Sequence, residues 1–160
     1  MLQVEVLYQI ADLYLLKGDH KRARKMLHLT YDFVGSEPGL MARLGNISAT
    51  MSNREESLQY LLEAHDQCPN IDTLAVICTQ YTNDEKYGTA ARFFLQAALL
   101  QPSEPKWMLM VASCYRRSQK YEQAMGVYEK VRECNSMERL RSATNTTFMH
   151  GDKREYRERH

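Results

Sequence analysis

Five histidines, at 20, 28, 65, 150 and 160, and four cysteines, at 68, 78, 114 and 134, are the residues of this sequence best suited to metal or nucleophile chemistry. A helical zinc site needs two histidines one turn apart with a glutamate between them, and no pair here has that spacing. A structural zinc needs paired thiolates, and no two cysteines form a CxxC. Cys78 and Cys114 fall in apolar stretches and read as small core residues. His28 and His65 are expected at the surface or half-buried. Gly35-Ser36-Glu37-Pro38-Gly39 is a linker by composition, because neither a GxGxxG nor a GxxxxGK[ST] phosphate cradle occurs. The expectation is therefore a chain with no catalytic residues, no metal, no cofactor and no small-molecule substrate.

The charge balance narrows the partners. Twenty-one Lys and Arg oppose twenty Asp and Glu, a net charge of +1, so no overall field favours nucleic acid or an anionic membrane. Lys21-Arg22 and Arg24-Lys25 form a short basic cluster, either a solvated helix face or a contact for an acidic partner. Apolar residues make up 44% of the chain, and the 7 Gly and 4 Pro are dispersed. That pattern suits one domain of long helices joined by short loops. No run of 18 apolar residues occurs, so no membrane insertion is expected. The start, Met1-Leu2-Gln3-Val4-Glu5-Val6, lacks the basic and apolar regions of a signal peptide and opens directly into helical pattern. With unpaired cysteines, this reads as a reducing, cytoplasmic setting and as a piece of a longer protein.

Elements follow from periodicity. Ala124, Tyr128 and Val131 share one helix face at i, i+4 and i+7. The same spacing recurs at Ala90, Phe94 and Ala97, at Ser57, Leu61 and Ala64, and at Ala23, Leu27 and Thr30, in steps of 34, 33 and 34. Preceding helices keep the phase: Val111, Ala112 and Tyr115 match Ile77, Cys78 and Tyr81, then Leu44, Gly45 and Ser48, then Ile10, Ala11 and Tyr14. Small residues (Ala11, Gly45, Cys78, Ala112 on first helices; Ala23, Ser57, Ala90, Ala124 on second) let paired helices approach. Pro69 and Pro102 close second helices, and Pro38 and Pro105 open first helices.

This pattern resembles the tetratricopeptide repeat. The implied fold is all-α, an α-solenoid: a right-handed superhelix of antiparallel helix pairs. Four repeats are expected at about 4–37, 38–70, 71–104 and 105–138, the second weakest because Ser48 and Ser57 replace an aromatic and an Ala. Residues 139–160 are expected to form a partial fifth repeat, opening near Met137, or a capping helix with a polar tail.

A narrower likeness rests on Lys106-Trp107-Met108-Leu109-Met110-Val111-Ala112-Ser113-Cys114-Tyr115-Arg116-Arg117-Ser118, with Gln101-Pro102-Ser103 before it and Tyr8-Gln9-Ile10-Ala11 and Leu44-Gly45 in register. The stretch resembles the carboxy-terminal repeats of the polaris-type subunit of intraflagellar transport complex B, over about residues 3–135. After Pro69 the chain is one residue short, after Val131 the likeness fades, and the family's long amino-terminal repeats are absent. The resemblance implies a non-catalytic subunit of the ciliary transport train. It would contact other complex B subunits, support cilium assembly, and reside in the cytoplasm, cilium or flagellum, and basal body. The alternative is a tetratricopeptide adaptor or co-chaperone unrelated to cilia.

In repeats of this type the first helices line a concave groove. Repeat phase places Asp12, Asn46, Lys106, Leu109, Ser113, Arg116 and Arg117 on it as candidate partner-binding residues. The groove would be acidic at one end, small and neutral in the middle and basic at the other. Basic residues collect in one repeat rather than over successive helices, unlike a clamp for terminal carboxylates.

Overall fold

The computed structural model describes residues 2–137. Seven helices are α1 (Leu2–Leu16), α2 (His20–Val34), α3 (Pro38–Thr50), α4 (Arg54–Gln67), α5 (Ile71–Asn83), α6 (Tyr87–Leu100) and α7 (Pro105–Arg117). An eighth, α8, runs through residues 121–137. No strand occurs among the described residues. Each helix packs mainly on its neighbours in the chain, α1 on α2, α2 on α3 and so on. The result is an all-α stack of antiparallel hairpins, as the spacing predicts.

Local chemistry sets the helix ends. Pro38 and Pro105 occupy the first turns of α3 and α7, where no N–H partner is needed. The Asp19 carboxylate caps α2 by accepting from the Arg22 amide at 3.0 Å, and Asn70 caps α5 by accepting from the Asp72 amide at 2.7 Å. The turn inside every hairpin has the same form. Gly18, Ser52, Glu85 and Gln119 all have positive φ, between 58° and 75°. In the first turn the Gly18 amide donates to the Leu15 carbonyl and the Asp19 amide to the Tyr14 carbonyl, both at 2.9 Å, and the other three turns repeat the pair. This double bond pattern closes a helix through one left-handed residue.

The small residues sit where helices cross. Ala11, Cys78, Ala112, Ala23, Ser57 and Ala90 have no exposed surface, and Ala124 retains 4%. Two apolar clusters result. One joins the first two hairpins through Ala11, Leu27, Leu40, Leu44 and Ala64. The other joins the last two through Leu74, Cys78, Phe94, Trp107 and Val111. Burial pushes the Cys78 thiol up to about 12, with the neighbouring Cys114 adding to it. Cys114 is raised by the same cause.

The second and third hairpins meet through a more polar joint. The Ser57 hydroxyl donates to the Gly45 carbonyl at 2.8 Å, and Gln80 Nε2 donates to Ser57 Oγ at 2.6 Å. The serine that makes the second repeat look weak is thus a buried hydrogen-bond junction. Two readings of single residues are corrected. His65 is buried, not at the surface, because Phe93 lies against its ring and Gln96 Oε1 is 2.9 Å from its Nε2. Met137 continues α8 instead of opening a new helix. The rest of the expected cap, 139–160, lies outside the described residues.

Candidate partner-binding surface

The first helices present two clefts in sequence, and equivalent positions line both. Between α1 and α3, Asp12, Leu15, Arg43, Asn46, Ile47 and Thr50 surround about 370 Å³. Between α3 and α5, Ala49, Val76, Thr79, Gln80 and Asn83 surround about 430 Å³. One repeat step carries Arg43, Asn46, Ile47 and Thr50 onto Val76, Thr79, Gln80 and Asn83. The periodic fold therefore makes a row of similar recesses, the first holding the Asp12–Arg43 pair and the second Arg54 beside amide and hydroxyl groups.

Asp12 and Asn46 line the same cleft. Asp12 does not stand as an open negative charge, because its Oδ1 accepts from Arg43 Nη1 at 2.6 Å. Arg43 also lies over the Tyr8 ring, 5.0 Å from its centroid. The Tyr8 hydroxyl donates to Glu37 Oε2 at 3.0 Å. Burial first, and then that carboxylate, push the Tyr8 phenol up to about 12, so it stays a neutral donor. The acidic end expected from the sequence is locally neutralised.

The other five candidates all lie on α7, apart from Asp12 and Asn46. Lys106 Nζ is 3.6 Å from Glu104 and 4.9 Å from the centre of the Trp107 ring. Leu109 is 42% exposed. Ser113 is half-buried and Arg116 exposed at the helix end. Arg117 lies against the preceding hairpin: its guanidinium is 5.5 Å from the Tyr87 ring centre and donates to Tyr87 Oη at 3.5 Å. The seven residues thus form two groups, with the Ala49–Asn83 cleft between them.

Arg43 and Arg54 were missed by counting groove positions. Both make ion pairs to a neighbouring hairpin, Arg43 with Asp12 and Arg54 with Asp84 at 2.7 Å. Arg24 pairs with Glu56 in the same way. These partners are 31, 30 and 32 residues apart, slightly less than one repeat. A search for opposite charges at that spacing finds all three. Among the described residues no group of three or more His, Cys, Asp and Glu could hold a metal ion. No described helix is long and apolar enough to cross a membrane.

The fold and these recesses define an α-solenoid of tetratricopeptide repeats, a class of protein-interaction scaffold. Family models described as tetratricopeptide repeat match residues 5–29 and 108–133. Among curated proteins the chain is similar to the human "Intraflagellar transport protein 88 homolog", 53% identical over 36 residues. That match spans 22% of this chain and 4% of the relative's length. Among solved structures, a tetratricopeptide repeat protein from Parabacteroides merdae superposes with a TM-score of 0.74 at 20% identity, covering 85% of this chain and 55% of that one. A MamA structure (AMB-1) gives 0.71 at 19% identity, covering 83% and 73%. These two similarities show the fold alone.

Proposed function

We propose that this chain is a non-catalytic scaffold subunit of intraflagellar transport complex B, holding other complex B subunits during cilium assembly. The observation that carries the reading is the 53% identity over 36 residues to a human intraflagellar transport protein. The repeat division at about 4–37, 38–70, 71–104 and 105–138 belongs to the same proposal. Its site of action is the cytoplasm, basal body and cilium. The contact surface is the face of the first helices: Asp12 and Asn46 at one end, and Lys106, Leu109, Ser113, Arg116 and Arg117 at the other. Protein partners fit this surface better than nucleic acid, because the chain's charges nearly cancel and several basic side chains are already paired.

Affinity capture with the full chain from ciliated cells tests the reading. Recovery of complex B subunits is the expected result. Recovery of chaperones without them would replace it with an adaptor or co-chaperone role unrelated to cilia.

A further inference from the structure

We propose that the cleft between α3 and α5 binds a primary carboxamide, the side chain of an Asn or Gln on a protein partner lying along the first helices. The inference rests on reading that face as the partner surface and is independent of the transport role.

Gln80 is the anomaly that points here. One repeat earlier its position holds Ile47, and one repeat later Cys114, both apolar and only 3% and 2% exposed. Gln80 is nearly as deep, at 7%, yet carries an amide. Only half of that amide is used inside the fold. Its Nε2 donates to Ser57 Oγ at 2.6 Å. Ser57 has given its own proton to the Gly45 carbonyl at 2.8 Å, so towards Gln80 it can only accept. This fixes the amide with its nitrogen at the joint and leaves Oε1 as a buried acceptor with no partner. Such an acceptor is costly, and the joint itself gives no reason for it. Gln80 also lines the α3–α5 cleft of about 430 Å³. Its Oε1 is covered, but the last side-chain torsion of glutamine is soft, and a small turn about it brings the oxygen to the cleft wall.

The other groups of the cleft select the ligand. Thr79 lies beside Gln80 on α5 and has spent its proton on the Ala75 carbonyl at 2.8 Å, so its oxygen also only accepts. On the α3–α4 side stands Arg54. Its Nη1 donates to Asp84 at 2.7 Å, and the guanidinium keeps further N–H groups. One side of the cleft thus calls for N–H donors and the other for an acceptor. A primary carboxamide supplies both, two N–H groups and a carbonyl, without net charge. A carboxylate would satisfy Arg54 but set its oxygens against Gln80 and Thr79. An ammonium would satisfy those two and meet the guanidinium. Ala49 and Val76 give apolar wall for the methylenes of the bound side chain.

The test titrates short alanine-rich peptides into the full 160-residue chain. Each peptide carries one central Gln, Glu or Lys. Acetyl and N-methylamide ends ensure that the Gln side chain is the sole primary amide. Nitrogen–proton NMR spectra report both the backbone and the Gln80 side-chain NH₂. The Gln peptide should shift the Gln80 and Thr79 signals saturably and bind at least about tenfold more tightly than the other two, because they leave polar groups of the cleft unpaired. Gln80→Leu should abolish that preference. Thr79→Val, at an exposed site, should weaken it, and decides the matter if circular dichroism shows that Gln80→Leu does not fold. Capture of complex B subunits is a separate readout, so failure of the transport reading leaves this titration standing, and the reverse. Absence of binding, equal binding of the three peptides, saturable shifts confined to another part of the chain, or a preference unchanged in either folded variant would each overturn the proposal.

Discussion

A Cβ added to Gly45 would lie 2.6 Å from Leu61 Cγ and 3.3 Å from the Leu61 amide nitrogen. The missing side chain lets α3 lie close against α4, and the Gly45 carbonyl then accepts from Ser57. Gln80 reaches this junction from α5, but its Oε1 is buried with no partner. Ser57→Ala strips Gln80 Nε2 of its acceptor, so it should cost about 1–3 kcal/mol. Adding Gln80→Leu removes the stranded amide and should recover much of that loss. Urea denaturation of the two single variants and the double variant measures the coupling, and simple additivity would refute it. Cysteine reactivity divides on the same physical ground. Cys68 and Cys134 are exposed, whereas Cys78 and Cys114 are buried with raised thiol pKa. The thiolate is the nucleophile, so at mildly alkaline pH the two buried thiols are both inaccessible and protonated. Mass spectrometry after brief alkylation should find Cys68 and Cys134 modified, and all four cysteines after unfolding. Early labelling of Cys78 would mean the third hairpin opens readily.

Among the elements, three of the four hairpin turns hold a non-glycine residue in the left-handed region. Gly18 fills the left-handed position of the first turn without cost, but Ser52, Glu85 and Gln119 hold it with a Cβ. The left-handed conformation costs an L-residue about 1–2 kcal/mol, while glycine adds about 0.5–1 kcal/mol of entropy to the unfolded chain. Glu85→Gly and Gln119→Gly should therefore stabilise by up to about 1 kcal/mol each, and Gly18→Ala should destabilise by about 1 kcal/mol. In a chain of this size, thermal melts should move about 2–4 °C per kcal/mol. If all three variants melted alike, the conserved turn geometry would carry no strain.

Across the whole molecule, two apolar clusters are separated by the polar joint of Ser57 and Gln80 and tied by side-chain links from hairpin to hairpin. The proposed partner surface falls on both sides of that division, with Asp12 and Asn46 on one part and the α7 residues on the other. On the proposed reading, Arg116 and Arg117 form a rim and Leu109 an anchor. Rim charges govern association rate and salt dependence, and buried apolar anchors govern dissociation. Arg116→Glu with Arg117→Glu should slow association with a captured complex B subunit and weaken its salt dependence. Leu109→Ala should speed dissociation instead. Surface plasmon resonance at two salt concentrations separates the effects. Unchanged kinetics in the Glu variant would move the contact away from α7. Loss of the Arg117–Tyr87 stacking should lower stability by no more than about 1 kcal/mol, since both groups lie at the surface.

Spacing alone determined the helices, their pairing and the small residues at the crossings. Burial in a repeat is periodic, and the period is written directly in residues such as Ala11, Gly45, Cys78 and Ala112. The proline boundaries were legible because a missing N–H acts locally. Other features depended on the tertiary structure. Asp12 is neutralised by Arg43, His65 is buried against Phe93 and Gln96, and Arg117 lies on Tyr87 instead of standing free. Each of these contacts crosses from one hairpin to another, so it depends on the offset between hairpins and on side-chain reach. The left-handed turns at Ser52, Glu85 and Gln119 were hidden for a related reason: closure of the hairpin imposes that backbone on residues whose own preference is different.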